Sequence, residues 1–268
     1  MKPSIGLALG AGSARGLAHL GVLKVFEEEG ILIDYLAGTS IGSIVGGFYA
    51  VGLDLHMLER LAKHLTWDHL TDLTVPRRGL IAGNKAKEFF ELLTKKKNFN
   101  QLELPFATVA VDIENGEEVI IDSGLVADGI RASMSIPGVY VPHQLDGRKL
   151  VDGAVLNRVP VSAVRGLGAD IVIGVDVSHK VNYKSEVSTI FDVIMNSIDI
   201  MQQEITKHKN HGADLLIRPP VGHIKSTDLD QARECIDLGY QSAKEAIPKF
   251  KNLIEEWNMD EEKRVNQE

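Results

Sequence analysis

The chain has a single cysteine, Cys235, among 268 residues, so an intrachain disulfide is ruled out. This fits a reducing compartment, with the cytoplasm as the expected location, and excludes a disulfide-stapled scaffold. Cys235 sits on a helical-looking stretch and is expected to serve packing. Also missing is any apolar run near the ~20 residues that span a bilayer. The apolar stretch 4–12 follows only one cation, Lys2, and is interrupted by glycine. It reads as a first strand and not as a signal peptide. Positive charge is scarce: 29 Lys and Arg against 37 Asp and Glu give a net charge of -8. A broad nucleic-acid-binding face is therefore excluded. The local basic runs Arg77-Arg78 and Lys95-Lys96-Lys97 read as solvated surface or as contacts to anionic headgroups. Repeats, linkers and composition breaks are lacking. One domain over 1–258 is expected, followed by a charged tail, 259–268, that frays. Neither a cofactor nor a metal is expected, because the Asp54, Asp68 and Asp72 group has no histidine at ligating spacing.

Glycine is plentiful, at 25 residues, and two glycine turns lie close together near the N-terminus. The first is Gly10-Ala11-Gly12-Ser13-Ala14-Arg15-Gly16 and the second is Gly38-Thr39-Ser40-Ile41-Gly42. Each follows a short apolar run and opens a helix-like stretch. A serine between glycines at a strand-to-helix turn has the spacing of a nucleophile elbow. A glycine turn at a helix N-terminus offers N–H groups to an oxyanion. Two other readings compete. Thr39 or Ser40 could simply cap the helix. The first turn could be a dinucleotide fingerprint, but Arg15 occupies the third glycine position and no acidic residue ends the second strand.

Strands are expected over 4–9, 34–38 and 171–177, the last an unbroken β-branched run suited to a strand buried on both faces. Hairpins are expected at 105–121, around Glu114-Asn115-Gly116, and at 139–151, around Asp146-Gly147. A short strand is expected over 214–218. Helices over 16–29, 40–51, 125–134, 188–208 and 229–257 alternate with these strands. The pattern predicts an α/β fold, a three-layer α/β/α sandwich around a mostly parallel sheet. Residues 54–100 read as an insertion placed to cover the active site. Their stripe of Leu55, Leu58, Leu61, Leu65 and Trp67 suits core, a lid or a membrane contact, with core the default.

A serine nucleophile needs a base. None of the nine histidines lies in a glycine-rich turn near a late strand end. His19, in the first helix, is expected to pack or hydrogen-bond. Asp152, in Val151-Asp152-Gly153-Ala154, ends a strand and is the better candidate, although such an aspartate also suits a turn that bonds its own backbone.

With these three motifs in order, the chain resembles the bacterial patatin-like phospholipases. That family combines a glycine-rich oxyanion turn ending in Arg-Gly, a G-x-S-x-G elbow and a later Asp-Gly-Ala or Asp-Gly-Gly. The resemblance covers about residues 4–180 and includes Ala132-Ser133-Met134-Ser135-Ile136-Pro137. Ala11 stands where many members have a third glycine. The resemblance implies a patatin-like fold and a Ser-Asp dyad: Ser40 as nucleophile and Asp152 as direct general base. The turn of Gly10, Ala11, Gly12 and Arg15 would serve the oxyanion, supported by Gly38, Gly42 and Gly153. It implies an acyl-enzyme, a lipid or acyl-ester substrate, and peripheral contact with a membrane surface, the inner membrane being the expected one. Three alternatives stay open: a general carboxylesterase, a lysophospholipase, or a non-catalytic regulatory protein on the same fold.

Overall fold

A computed structural model describes residues 2–75, 77–178, 187–208 and 212–265. Its strands are β1 (Ile5–Leu9), β2 (Tyr35–Thr39), β3 (Phe106–Asp112), β4 (Glu117–Ile121), β5 (His143–Leu145), β6 (Arg148–Asp152), β7 (Ile171–Val175) and β8 (Leu215–Ile217). The helices are α1 (Ala18–Glu28), α2 (Ile41–Ala50), α3 (Leu55–His64), α4 (Asn84–Leu93), α5 (Val126–Ser133), α6 (Val161–Leu167), α7 (Ile190–His208) and α8 (Ala232–Val265). All eight strands form one sheet. The pairs β1–β2, β1–β7, β2–β3 and β7–β8 are parallel, whereas β3–β4, β3–β6 and β5–β6 are antiparallel. Every residue of β1 and β7 is buried, which accounts for their continuous apolar runs. The larger core cluster lies between the sheet and α1, α2, α5 and α8; a smaller one lies under α6 on the other face. This is the expected layered α/β architecture.

The registers along β3 bring two strand ends together. β4 pairs residues 108–112 of β3, β2 pairs 106–109 and β6 pairs 110–112. A strand has two edges, so β2 and β6 must share the edge opposite β4. β2 runs parallel to β3 and ends at Thr39 opposite Val109. β6 runs the other way and ends at Asp152 opposite Ala110. The C-terminal ends of β2 and β6 therefore meet head to head, with Ser40 one residue beyond one of them and Asp152 closing the other.

The stripe in 54–100 is core, its default reading: Leu55 and Leu58 are buried, and Leu61, Leu65 and Trp67 pack against the main cluster. Other expectations change. Charge suggested a break at 259, but α8 runs on to Val265, supported there by a Lys263–Asp260 pair; residues 266–268 lie outside the described residues. The helix α6 has no counterpart in the sequence expectations, being a single short segment between two strands. α1 and α8 approach very closely, since a β-carbon at Gly239 would fall 2.0 Å from the Ala18 carbonyl oxygen.

Candidate active site

The turn after β2 carries Ser40 at φ 54°, ψ -123°, a backbone conformation that non-glycine residues rarely adopt. Neighbours impose it. The Ser40 N–H donates to Ser133 Oγ at 2.9 Å, and Ser133 Oγ donates to the Val109 carbonyl at 2.6 Å. The Ser40 carbonyl accepts from Ser43 Oγ at 2.6 Å and from the Ser43 and Ile44 N–H groups. Gly42 allows α2 to start against the sheet, since a β-carbon there would lie 2.1 Å from the Leu9 carbonyl oxygen. Gly38 is packed as tightly, with only 2.3 Å between its would-be β-carbon and the Gly42 oxygen. The capping reading fails: the Ser40 side chain makes no cap bond, and Thr39 Oγ1 donates to the Asn157 carbonyl instead. The Ser40 side chain thus lines a narrow cleft.

Asp152 faces the same cleft and is 3% exposed. Its N–H donates to the Ser135 carbonyl, and its Oδ1 accepts from the Ala154 N–H at 2.8 Å. The turn-aspartate reading is therefore also correct. Gly153 makes the turn possible, because a β-carbon there would meet the Val109 carbonyl at 2.3 Å. Burial pushes the carboxyl up to about 6, against the opposing influence of the Ser40 side chain, the Ala154 N–H and the Arg158 charge. Among the described residues no histidine lines the cleft. His19 is fully buried behind the first turn, with Nε2 2.8 Å from the Gly10 carbonyl. A carbonyl only accepts, so Nε2 carries the proton. Desolvation depresses this imidazole to about 4 and keeps it neutral.

The first glycine turn differs from the expectation in which N–H groups it offers. The β1–β7 ladder continues one residue beyond β1, so the Gly10 N–H is bonded to the Val175 carbonyl at 3.0 Å. The Ala11 N–H donates to the Arg158 carbonyl at 2.9 Å. Neither can serve an oxyanion. The N–H groups of Gly12 and Ser13 have no partner among the described residues, and both residues line the cleft beside Ser40. The Ile41 N–H, at the open end of α2, is likewise unbonded. The Arg15 side chain anchors this turn and does not point at the cleft: Nε donates to the Ile224 carbonyl at 2.7 Å.

Three groups escaped the sequence reading. Ser133 fixes the elbow. Arg158 lines the cleft near Asp152, and Asp199 of α7 closes the far wall with Ile198. Asp199 lies 2.7 Å from Arg158 Nη2 and 3.9 Å from Arg15 Nη1. Among the described residues none of 54–100 lines the cleft, whereas Ile198 and Asp199 of α7 do. Only the run Ala132–Pro137 hinted at the first of these groups, and nothing local hinted at the other two.

Comparison with known proteins gives the chain its family. An uncharacterized NTE family protein of Mycobacterium bovis is 37% identical over 180 residues, covering 66% of this chain and 50% of that one. Lysophospholipase nte1 of Emericella nidulans is 30% identical over 287 residues, covering 93% of this chain but 18% of its own length. The chain thus spans half or less of these curated relatives. Among solved structures, VipD from Legionella pneumophila superposes with a TM-score of 0.64 at 12% identity, covering 92% of this chain and 67% of that one, which supports the fold alone. The sequence model of the patatin-like phospholipases matches residues 7–165, more than half of the chain, and takes in the end of β1, the elbow and Asp152. The chain belongs to the patatin-like phospholipase family.

Proposed function

We propose that the protein is a serine acyl hydrolase that cleaves fatty-acyl esters of lipids through a Ser40–Asp152 dyad. The observation that carries this reading is the strained Ser40 elbow facing a buried carboxyl with no histidine between them. Asp152 Oδ1 is held by the Ala154 N–H. The second carboxylate oxygen takes the proton from Ser40 Oγ as that oxygen attacks the ester carbonyl. The oxyanion collects the Gly12 and Ser13 N–H groups, with that of Ile41 beside them. Collapse breaks the carbon–oxygen bond to the alcohol, which leaves with the proton from Asp152, and an acyl-Ser40 ester remains. Water then loses a proton to Asp152, attacks the acyl carbon, and the fatty acid departs as Ser40 Oγ recovers its proton. The base must be ionised, so turnover falls as pH drops through about 6.

The similarity to a protein named lysophospholipase makes lysophospholipid the first lipid to assay. No helix among the described residues is long and apolar enough to cross a membrane. We place the reaction in the cytoplasm, at the inner membrane surface reached by peripheral contact. The test uses an active-site fluorophosphonate and a short-chain nitrophenyl ester. Ser40→Ala is expected to lose both labelling and hydrolysis, and Asp152→Asn to lose at least ~100-fold in kcat while staying folded. Wild-type turnover by Ser40→Ala sinks the mechanism; wild-type turnover by Asp152→Asn points to a different base, with His19 first to test.

A further inference from the structure

Apart from the cleft, the least explained feature is exposed apolar surface. On α7, Ile198 and Asp199 face the cleft, while Ile190, Val193, Ile200 and Met201 are 50–67% exposed. At helical spacing these four form one stripe on the side opposite Asp199 and Gln202. In the connection between α3 and α4, Leu73 and Val75 are 87% and 73% exposed, followed by Arg77 and Arg78. Both arginines are exposed, and neither has an ion pair among the described residues. The two features adjoin. The Leu80 and Ile81 N–H groups both donate to the Val139 carbonyl at 2.9 Å, and a β-carbon on neighbouring Gly138 would lie 3.1 Å from Ile194 Cδ1 of α7.

Large apolar side chains gathered on a surface mark a contact. Their chemistry selects the partner. The chain carries a net charge of -8, yet neither arginine of this patch has an ion-pair partner among the described residues. Apolar groups bordered by unpaired guanidinium groups match a bilayer bearing anionic phospholipid, which takes the first at its headgroup–acyl boundary and the second at its phosphates.

We infer that the outer stripe of α7, together with Leu73, Val75, Arg77, Arg78 and Leu80, docks on an anionic phospholipid bilayer. The helix that walls the Ser40 cleft on one side then rests on lipid on the other. This inference builds on the lipid-ester reading and names the surface that serves it. The test is co-sedimentation with phosphatidylcholine vesicles, with and without phosphatidylglycerol, alongside nitrophenyl ester hydrolysis and light scattering. Wild type is expected to sediment with the anionic vesicles only. Arg77→Gln/Arg78→Gln should weaken binding about 30-fold, and Val193→Asp/Ile200→Asp at least as much. Both variants alter exposed positions, so their melting temperatures and soluble-ester turnover should match wild type. Wild type that stays in the supernatant, or variants that sediment like wild type, would overturn the inference. So would a wild-type dimer that Val193→Asp/Ile200→Asp dissociates, because the stripe would then join two copies. Vesicle binding without ester hydrolysis would leave this surface standing and refute the enzymatic reading instead.

Discussion

Ser40 holds a backbone conformation that costs ~1–3 kcal/mol, and the bonds around it must supply that energy. Ser133 supplies the most specific of them, because its single hydroxyl accepts from the Ser40 N–H and donates to the Val109 carbonyl. Ser133→Ala leaves both backbone groups buried and unmet. The expected cost is about 1–3 kcal/mol in urea unfolding. Under the proposed mechanism, displacing Ser40 should also lower kcat roughly 10- to 100-fold with little change in KM. Unchanged kcat in a destabilised Ser133→Ala variant would show that the elbow keeps its shape without this bond. The same residue shows where reading stops. Ser40 and Asp152 announce themselves through the glycines that their turns require. Ser133 has no such companion, because its role depends on α5 lying over the end of β3.

At the scale of elements, α7 is joined to the rest of the site by buried charge. Asp199 sits between the guanidinium groups of Arg158 and Arg15, and all three are at most 7% exposed. Asp199→Ala would leave two buried cations without their shared anion, an expected loss of about 3–5 kcal/mol. Hydrogen exchange should then quicken along α7 more than along β1 or β7. Equal protection in α7 would mean that apolar packing alone holds the helix. Most elements were legible because their burial is regular: five consecutive apolar residues of β7 fit only a strand covered on both faces. The elements around the cleft were less so. Whether Gly10 and Ala11 have N–H groups to spare depends on how β7 aligns with β1 and where the Arg158 carbonyl falls. The place of 54–100 was hard to read for a related reason: an amphipathic stripe shows that one face is buried but not what buries it.

At the scale of the whole molecule, two buried ionisable groups act on stability in opposite directions. Asp152 rises from 3.8 to about 6, so between those values the folded chain holds a proton that the unfolded chain lacks. That stability is present in acid and lost as pH rises through about 6. His19 falls from 6.5 to about 4, so in nearly the same window the unfolded chain holds the extra proton. That stability is present above 6.5 and lost as pH falls toward 4. Each shift corresponds to about 3 kcal/mol, and in the native chain the two offset. Asp152→Asn should therefore make the gain in unfolding free energy from pH 4.5 to 7 larger than in wild type by about 2 kcal/mol, and His19→Gln smaller by a similar amount. Urea titrations at the two pH values measure this; equal pH dependence in all three proteins would refute it. The meeting of β2 and β6 on one edge of β3 has a further consequence, for how such a chain can change over generations. The separation of Ser40 and Asp152 is fixed by adjacent positions, Val109 and Ala110, on a single strand. A slip of one residue would turn Asp152 to the other face of the sheet. Segments inserted between α2 and β3 leave that alignment untouched, and with it the Ser133 bonds to the elbow. That connection can thus lengthen or be replaced while Ser40 and Asp152 keep their distance, so change in the outer layer is freed from change at the cleft.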